Sequence, residues 1–313
     1  MIPADKKIER LIEVSQMYYE KNMTQNEIAK VLGISRPLVS VLLQEARTSG
    51  VVTITINHVE NAQQLVAQRI EARYHVGKAV IVPDERSADA TDDAVAAAAF
   101  ACCFRAGKTY RSVGVGWGSI LGRMADYAEK LEPEQETHGH IFPLIGGIGA
   151  SYRGYHTNEI TRIISAKAGL EADYLYMPAF FDSETELDFA RHMETYLALR
   201  DKWDNMDLAL VNISNYPSYP DLGVEYRFGG KLTREGAVGR ILAHYYDITG
   251  RIIPPSVDNV MQATPEQLRK AKRTVAVCSA LLRPQSVVGA LAVGVVDTLV
   301  LPGSLAERIL ENG

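Results

Sequence analysis

The segment from residue 23 to residue 56 constrains the fold of this chain most, because it carries the start and stop signals of two short helices. Thr24 offers an N-cap hydroxyl, and Glu27, three residues later, completes a capping box. Gly33 permits the left-handed backbone that a tight turn between helices needs. Ser35 then caps the next helix. The order of these signals predicts a helix-turn-helix; the alternative is a small helical hairpin that only packs against the rest of the chain.

A largely apolar face also recurs over residues 7–20 and predicts a further helix there. The helix that Ser35 caps is therefore expected to be the third helix of its domain. Pro37 lies in its first turn, where the missing N–H costs nothing. Val39, Leu42 and Leu43 should face inward. The opposite face has the size and polarity to enter a major groove. The candidate DNA-contacting residues are Thr24, Gln25, Ser35, Arg36, Leu38, Ser40 and Gln44.

The charge of this segment is close to neutral. Residues 1–56 contain seven Lys and Arg residues against six Asp and Glu residues, and the whole chain has a net charge of −5. A monomer with so little positive charge should bind DNA weakly, because phosphate neutralisation supplies most non-specific affinity. We therefore expect a homo-oligomer, a tetramer or at least a dimer, that places two or more readers on one stretch of double-stranded operator DNA.

Length and composition exclude several classes of protein. The chain has 313 residues, which predicts about two domains, and no apolar run approaches the ~20 residues of a membrane span. The N-terminus lacks the apolar core of an export signal and the three cysteines show no CxxC spacing, so we expect a cytoplasmic protein with reduced thiols. The sequence contains no recognisable motif for a metal, a cofactor or a catalytic nucleophile, so none of these is predicted.

The remainder of the chain alternates between β-rich and helical patterns, which predicts an α/β fold. The expected strands are 78–82, 112–116, 140–145, 173–177, 208–213, 274–279 and 298–301. The expected helices are 64–74, 91–106, 119–130, 158–168, 184–200, 234–246, 285–293 and 303–311. This order implies a Rossmann-like parallel sheet with helices on both faces. The predicted domains are a helix-turn-helix domain at 1–56, ending in a strand or wing at 51–56, a linker at 57–62 and an effector-binding domain at 63–313.

Three segments near predicted strand ends could bind a ligand, because ligands of parallel sheets bind where carboxyl ends of strands lead into helices. The turn 116–119 places two glycines and a serine before a helix N-terminus, where free N–H groups favour an anion. The loop 142–159 has four glycines among polar residues, and 234–251 is predicted to be a helix carrying Glu235 and Arg240. The plainer alternatives are a packing turn, a mobile surface loop and solvated charges.

With these segments in place, the chain resembles the SorC/DeoR-type sugar-responsive bacterial transcription regulators over nearly its whole length. The motifs that carry the resemblance are YYEKNMTQNEIAKVLGISRPLVSVLLQEAR, VGVGWGS, GGIG with Asn158 downstream, PAFFDS, EGAVG with YYDITGR, and VVGALAVGVVDTLVLPGSLAERIL. The resemblance implies an N-terminal helix-turn-helix and an effector domain similar to sugar-phosphate isomerases and glucosamine-phosphate deaminases. It also implies tetramers on palindromic or tandem operators, with a DNA affinity that a sugar or sugar phosphate alters.

The chain departs from this family at four positions. Ile120 replaces the second of two phosphate-facing hydroxyls, and Ile145 stands where one member has a lysine that holds its sugar as a Schiff base. Arg240 stands in place of an acidic residue, and Arg283 lies where the family often has Gly-Gly followed by lysine. A guanidinium suits a carboxylate, sulfonate or phosphate. The expected effector is therefore a sugar acid or other acidic polyol rather than a neutral sugar.

These observations give one leading hypothesis, a DNA-binding transcription regulator controlled by a small carbohydrate-derived effector. The alternatives are a sugar-phosphate isomerase-like or deaminase-like enzyme with a DNA-binding arm, and a constitutive DNA-binding scaffold with a degenerate pocket. Such an enzyme needs a carboxylate or lysine base over the sugar carbons, and Arg240 stands where the family keeps an acid. The candidate effector-binding residues are Gly116, Trp117, Gly118, Ser119, Gly146, Gly147, Gly149, Asn158, Asp182, Glu235, Arg240 and Arg283.

Overall fold

The computed structural model describes residues 4–52, 59–105, 110–133, 139–149, 154, 156–218 and 224–312. The chain divides into two compact units, Met1–Val59 and Glu60–Gly313. Most of the strand or wing predicted at 51–56 lies outside the described residues, as do residues 57–58 of the predicted linker, whereas residues 59–62 form the first turn of a helix. Among the described residues, no helix is both long enough and apolar enough to cross a membrane.

The described part of the first unit contains three α-helices, as the sequence predicts. In chain order they are α1 (Ala4–Ser15), which continues into a π-helical turn at Gln16–Glu20, α2 (Gln25–Leu32) and α3 (Arg36–Thr48). All three helices contribute side chains to one small core, formed by Val14, Ile28, Val39 and Leu43. The apolar positions of each helix thus face inward and its polar positions remain outside.

The second unit is an α/β domain in which helices and strands alternate over most of its length. In chain order its elements are α4 (Val59–Tyr74), β1 (Lys78–Val82), α5 (Ala88–Phe104), β2 (Ser112–Val115), α6 (Ser119–Glu129), β3 (Gly139–Pro143), α7 (Thr157–Ala168), β4 (Leu170–Ala172), α8 (Glu184–Arg191), α9 (Glu194–Asp204), β5 (Leu208–Asn215), α10 (Val224–Phe228), α11 (Lys231–Arg234), β6 (Ala237–Ile241), β7 (His244–Asp247), α12 (Pro265–Lys270), β8 (Thr274–Val277), α13 (Pro284–Ala292), β9 (Thr298–Pro302) and α14 (Gly303–Asn312). The predicted strand–helix alternation is therefore confirmed.

A parallel sheet runs through this unit in the order β1-β9-β8-β5-β2-β3-β4. Leu208 and Leu210 of β5 pack into one apolar core, and Ala209 and Val211 pack into another, so both faces of the sheet are covered. From β2 the chain continues to β3 on one side, and from β5 it continues to β8 on the other. The strand order thus reverses between β2 and β5, and such a reversal creates a ligand-binding crevice at the carboxyl ends.

The structure corrects the helix predicted at 234–246. This segment is an antiparallel hairpin, β6–β7, and β6 also pairs with the end of β5. Leu242 lies in the two-residue hairpin turn with φ at +53°. Gly239 lies so close to Ser214 that a Cβ at position 239 would be 2.7 Å from the Ser214 carbonyl oxygen. Pairing with β5, which is distant in sequence, outweighs the local helical periodicity.

Two other predicted elements also differ. The prediction of a strand at 173–177 is wrong. Asn158 accepts the N–H of Leu175 at 3.0 Å and donates to its carbonyl oxygen at 3.1 Å. These backbone groups are therefore not available to pair with a neighbouring strand. The helix predicted at 184–200 is divided into α8 and α9 at His192 and Met193. The short helices α10, α11 and α12 are not predicted, because four to six residues carry too little periodicity.

Candidate DNA-binding and effector-binding sites

The turn between α2 and α3 has the hydrogen bonds that the sequence predicts. Thr24 Oγ1 accepts the N–H of Glu27 at 3.3 Å, and the Glu27 carboxylate accepts the N–H of Thr24 at 2.8 Å. Hydrogen bonds from the N–H and the hydroxyl of Thr24 hold the pKa of Glu27 below its usual range. Gly33 ends α2 with φ at +63°, and Ser35 Oγ accepts the N–H of Leu38 at 3.4 Å. Both caps of the helix-turn-helix are therefore confirmed.

Helix α3 presents a polar face to solvent. The predicted DNA-contacting residues that are exposed on and just before α3 are Ser35, Arg36, Leu38, Ser40 and Gln44. Arg36, Ser40 and Gln44 follow one another at intervals of four residues and so lie along one side of the helix. Thr24 and Gln25 line a polar hollow together with Arg36. Arg36 therefore connects this side of α3 with Thr24 and Gln25 at the start of α2.

A small polar pocket lies at the carboxyl ends of β2, β5 and β8, where the strand order reverses. Its volume is about 240 Å³, below the ~300 Å³ at which drug-sized sites begin, so it suits a small ligand. Its polar lining, among the described residues, includes Ser119, Asn212, Ser214, Arg240 and Ser279. Two predicted effector-binding residues, Ser119 and Arg240, thus meet here. A larger groove of about 780 Å³ in the same unit is lined mainly by apolar side chains and suits a carbohydrate poorly.

Gly118 allows the start of α6 to approach β5. Its backbone has φ at +129° and ψ at 165°, a conformation essentially restricted to glycine. A Cβ at this position would lie 2.5 Å from Asn212 Nδ2. Ser119 and Ile120, the first residues of α6, line the pocket. Since the N–H groups of a first helical turn have no partner within the helix, this wall can bind an anion or a hydroxyl group.

Arg240 brings a positive charge into the pocket. Its side chain is buried, and Nη1 donates to the carbonyl oxygen of Leu242 at 2.8 Å. Arg227 is also buried and donates from Nη1 to the carbonyl oxygen of Ala243 at 3.3 Å, so two guanidinium groups hold the hairpin turn. Burial lowers the pKa of Arg227. Because arginine stays protonated in proteins, the pocket carries a permanent charge that favours an anionic ligand.

Two residues that sequence analysis missed hold the pocket in shape. Asp92, buried in α5, accepts hydrogen bonds from the Ser279 hydroxyl and the Ala280 N–H, both at 2.7 Å. Asn215, the last residue of β5, accepts the N–H of Arg283 at 3.0 Å. Together they fix the segment between β8 and α13, which forms one rim of the pocket. Neither lies in a motif, and only the three-dimensional fold brings them to this segment.

Several predicted residues lie outside the described lining of the pocket, namely Gly116, Trp117, Gly146, Gly147 and Gly149. Trp117 is buried, and its ring packs against that of Phe180 with centroids 6.1 Å apart. Gly146 and Gly147 each donate an N–H to a neighbouring carbonyl at 2.9 Å. Gly149 is exposed, and no atom of the described residues lies within 4 Å of the place of its Cβ. The glycines of the second predicted loop thus do not reach this pocket.

Four polar candidates also lie outside that lining. The side-chain amide of Asn158 donates from Nδ2 to the carbonyl oxygen of Leu175 and accepts the Leu175 N–H at Oδ1. Glu235 pairs with Arg251, with Nη1 and Oε2 2.8 Å apart. Asp182 and Arg283 are exposed. The roles proposed for these four residues therefore remain predictions without support from their position.

Known proteins resemble this chain over nearly its whole length. A family model described as "Putative sugar-binding domain" matches residues 57–311. The sorbitol operon regulator of Klebsiella pneumoniae is 25% identical over 97% of this chain and 98% of its own. The deoxyribonucleoside regulator of Bacillus subtilis (strain 168) is 25% identical over 96% of this chain and 97% of its own.

A solved structure has a similar fold over nearly the whole chain. The crystal structure of the full-length sorbitol operon regulator SorC from Klebsiella pneumoniae covers 97% of this chain and 99% of its own, with a TM-score of 0.72 and 24% identity. The match includes the helix-turn-helix as well as the α/β unit, because it extends over almost all residues of both chains. Since the family model spans most of the sequence, the chain belongs to the SorC/DeoR-type family of sugar-binding transcriptional regulators.

Proposed function

We propose that the protein binds double-stranded operator DNA and that a small carbohydrate-derived effector controls this binding. One observation carries the proposal: the chain combines an exposed polar third helix in its first unit with a small, positively charged pocket at strand ends in its second. The names of its relatives, a sorbitol operon regulator and a deoxyribonucleoside regulator, support the same function. A regulator of this kind acts in the cytoplasm, where the bacterial chromosome lies.

The proposed DNA contacts come from α3. Arg36 and Gln44 can donate to guanine or adenine edges, and Ser40 lies between them on the same side of the helix. Gln44→Ala should cost about 1–3 kcal/mol at one operator position and relax the base preference there. The matched control is Gln285→Ala, the same change at an exposed residue of α13 in the second unit. Equal operator affinities for wild type and Gln44→Ala in fluorescence anisotropy titrations would contradict the assignment.

The proposed effector is a sugar acid, a sugar phosphate or another acidic polyol. Arg240 and the first turn of α6 supply positive charge and N–H donors, while Asn212, Ser214 and Ser279 supply groups that can exchange hydrogen bonds with hydroxyls. Arg240 adds a permanent positive charge to this lining, which favours an acidic ligand over a neutral one. A thermal-shift screen of neutral sugars, sugar acids and sugar phosphates tests this, because a ligand of the native state raises its melting temperature.

A variant at Arg240 tests the role of the charge. Arg240→Ala should weaken binding of an acidic ligand by more than ~1.5 kcal/mol, the scale of a charge-assisted hydrogen bond, and leave operator affinity without ligand unchanged. Arg240→Lys keeps a charge and should lose less. The matched control is Arg269→Ala, because Arg269 on α12 is exposed and outside the described lining of the pocket. Equal calorimetric affinities in wild type and Arg240→Ala would reduce Arg240 to a structural role in the hairpin turn.

We also propose that the pocket binds its ligand without converting it. Isomerases and deaminases of this fold need a carboxylate or lysine that moves a proton. The described lining of the pocket contains neither, and the relatives are named as regulators. Incubation of the protein with the ligands found in the screen should leave them chemically unchanged; any turnover seen by NMR spectroscopy would contradict this part of the proposal.

Assembly completes the proposed function. The nearly neutral first unit needs a second reader on the same DNA, since linking two readers raises affinity through their effective concentration. We therefore propose a homo-oligomer, with a tetramer as the expected form. Multi-angle light scattering should show at least a dimer at micromolar concentration, and a monomer that nevertheless binds operator DNA tightly would refute the multivalency argument.

A further inference from the structure

The polar hollow of the first unit, beside the candidate DNA-contacting side of α3, extends beyond the residues predicted to contact DNA. Its volume is about 590 Å³, and residues of the π-helical turn after α1 and of the start of α2 line it. The hydrogen-bonding side chains of its described lining include Tyr18, Tyr19, Asn22, Gln25, Asn26 and Arg36. Tyr18, Tyr19 and Asn22 precede the helix-turn-helix, so the hollow joins a third segment of the chain to the two that the sequence indicates.

The polar groups of the hollow are not used within the protein. Among the described residues, none of these six side chains forms a hydrogen bond or an ion pair with another protein group. The described lining contains no carboxylate, and the nearby Glu27 carboxylate is engaged by the N–H and the hydroxyl of Thr24, both at 2.8 Å. Arg36 is the charged residue of this lining. The hollow therefore offers one positive charge and several unused donors, which together suit a singly charged anionic group.

The floor of the hollow is fixed by the core of the first unit. Tyr18 and Met23 pack against that core, and the rings of Tyr18 and Tyr19 meet edge to face with their centroids 4.9 Å apart. The π-helical turn is closed by a hydrogen bond from the Lys21 N–H to the Gln16 carbonyl oxygen, five residues back, at 3.0 Å. Such turns are frequent at functional sites. A group that enters the hollow thus meets side chains on a backbone whose position is already set, which lowers the entropic cost of binding.

From this lining we infer that the hollow binds a phosphate group of the DNA backbone and positions α3 in the groove without reading sequence. Tyr, Asn, Gln and Arg side chains are among those that bind phosphate oxygens in protein–DNA complexes. The first helix of a helix-turn-helix crosses the backbone while the second lies in the major groove, so the start of α2 is where a phosphate is expected. The inference rests on the proposed DNA binding and adds to it a positioning site formed by Tyr19, Asn22 and Asn26, beside the charge of Arg36.

Two conservative variants of the full-length protein test this inference by fluorescence anisotropy. The probes are a duplex that the wild-type protein selects from a random-sequence pool and a duplex of scrambled sequence. Tyr19→Phe removes only a hydroxyl, and Asn22→Asp exchanges an amide for a carboxylate of the same size at a φ of +52°, which Asp also adopts. Each should weaken binding to both duplexes by the same factor, about tenfold, because phosphates are alike in every sequence. The loss for Asn22→Asp should shrink as salt screens the repulsion.

The controls match each change. Tyr174→Phe, at a tyrosine of the second unit that is 40% exposed against 38% for Tyr19, controls for the hydroxyl. Gln16→Glu adds a charge to the first unit at an exposed residue outside the described lining. Both should stay within about twofold of wild type, because neither changes a phosphate contact. Gln44→Ala supplies the contrast, since a base-reading residue should lose affinity for the selected duplex and little for the scrambled one. Circular dichroism confirms that each variant is folded.

The possible outcomes separate this inference from the proposed function. If Tyr19→Phe and Asn22→Asp bind both duplexes like wild type while Gln44→Ala loses the selected one, the phosphate site is wrong and DNA binding stands. A loss confined to the selected duplex would also overturn the site, because these residues would then read bases. Saturable calorimetric binding of inorganic phosphate that Asn22→Asp abolishes would assign the hollow to a free anion instead. A wild-type protein that selects no duplex from the pool would overturn both proposals.

Discussion

Gly118→Ala should damage the second unit at a cost that follows from local geometry. The backbone at φ +129° and ψ 165° lies in a region essentially closed to residues with a Cβ, and occupying it costs about 1–3 kcal/mol. The new methyl would also lie 2.5–2.7 Å from the side-chain atoms of Asn212, which must move and break its 3.0 Å hydrogen bond to Ser214. That bond is worth about 1 kcal/mol. The free energy of unfolding should therefore fall by about 2–4 kcal/mol.

Urea titration followed by circular dichroism measures this loss. The control is Gly149→Ala, because Gly149 has no atom within 4 Å of its Cβ position and no unusual φ, so its change should stay within ~0.5 kcal/mol. Gly118→Ala combined with Asn212→Gly removes the clash but keeps the backbone strain, so it separates the two contributions. A Gly118→Ala protein as stable as Gly149→Ala would refute the argument that the start of α6 requires glycine.

Two further predictions concern buried polar groups. Asp92→Asn keeps only one of the acceptors for Ser279 and Ala280, and it should lower the free energy of unfolding by about 1.5–3 kcal/mol in urea titrations; a loss under ~0.5 kcal/mol would contradict it. Burial lowers the pKa of His244 below 6.5, so the unfolded chain takes up a proton before the folded one does and stability should fall as the pH drops below about 6.5. His244→Gln should remove this slope, and a slope that persists would point to another group.

The features that the sequence predicted well are those whose signals are local. The signals of the helix-turn-helix each act within four residues: the capping box of Thr24 and Glu27, the αL residue Gly33 and the cap Ser35. The motif can therefore be predicted from residues that are close in the sequence. Most strands and helices of the second unit follow from periodicity for the same reason. The hairpin β6–β7 does not, since it depends on pairing with β5, whose end at Asn215 is far away in sequence.

The candidate pocket was only partly predictable. A glycine-rich turn predicts Ser119 and a family comparison predicts Arg240, although periodicity places Arg240 in a helix and the structure has it in β6. Asn212 and Ser279 lie at the carboxyl ends of the predicted strands 208–213 and 274–279, a position that favours polar ligand-binding residues. Asn158 is predicted as a polar residue downstream of a strand end, yet its amide forms hydrogen bonds with backbone groups of Leu175, and no sequence pattern predicts such a contact.

Strand β5 is shared between two kinds of pairing, parallel with β2 and β8 along its first part and antiparallel with β6 at its end. The polar groups of Asn212 and Ser214 are therefore carried on a segment held from both sides before any ligand arrives. Ordering this wall costs an effector little conformational entropy. An effector changes operator affinity only by binding two states of the protein unequally. With β5 held in both states, that inequality has to arise in parts of the protein other than this strand.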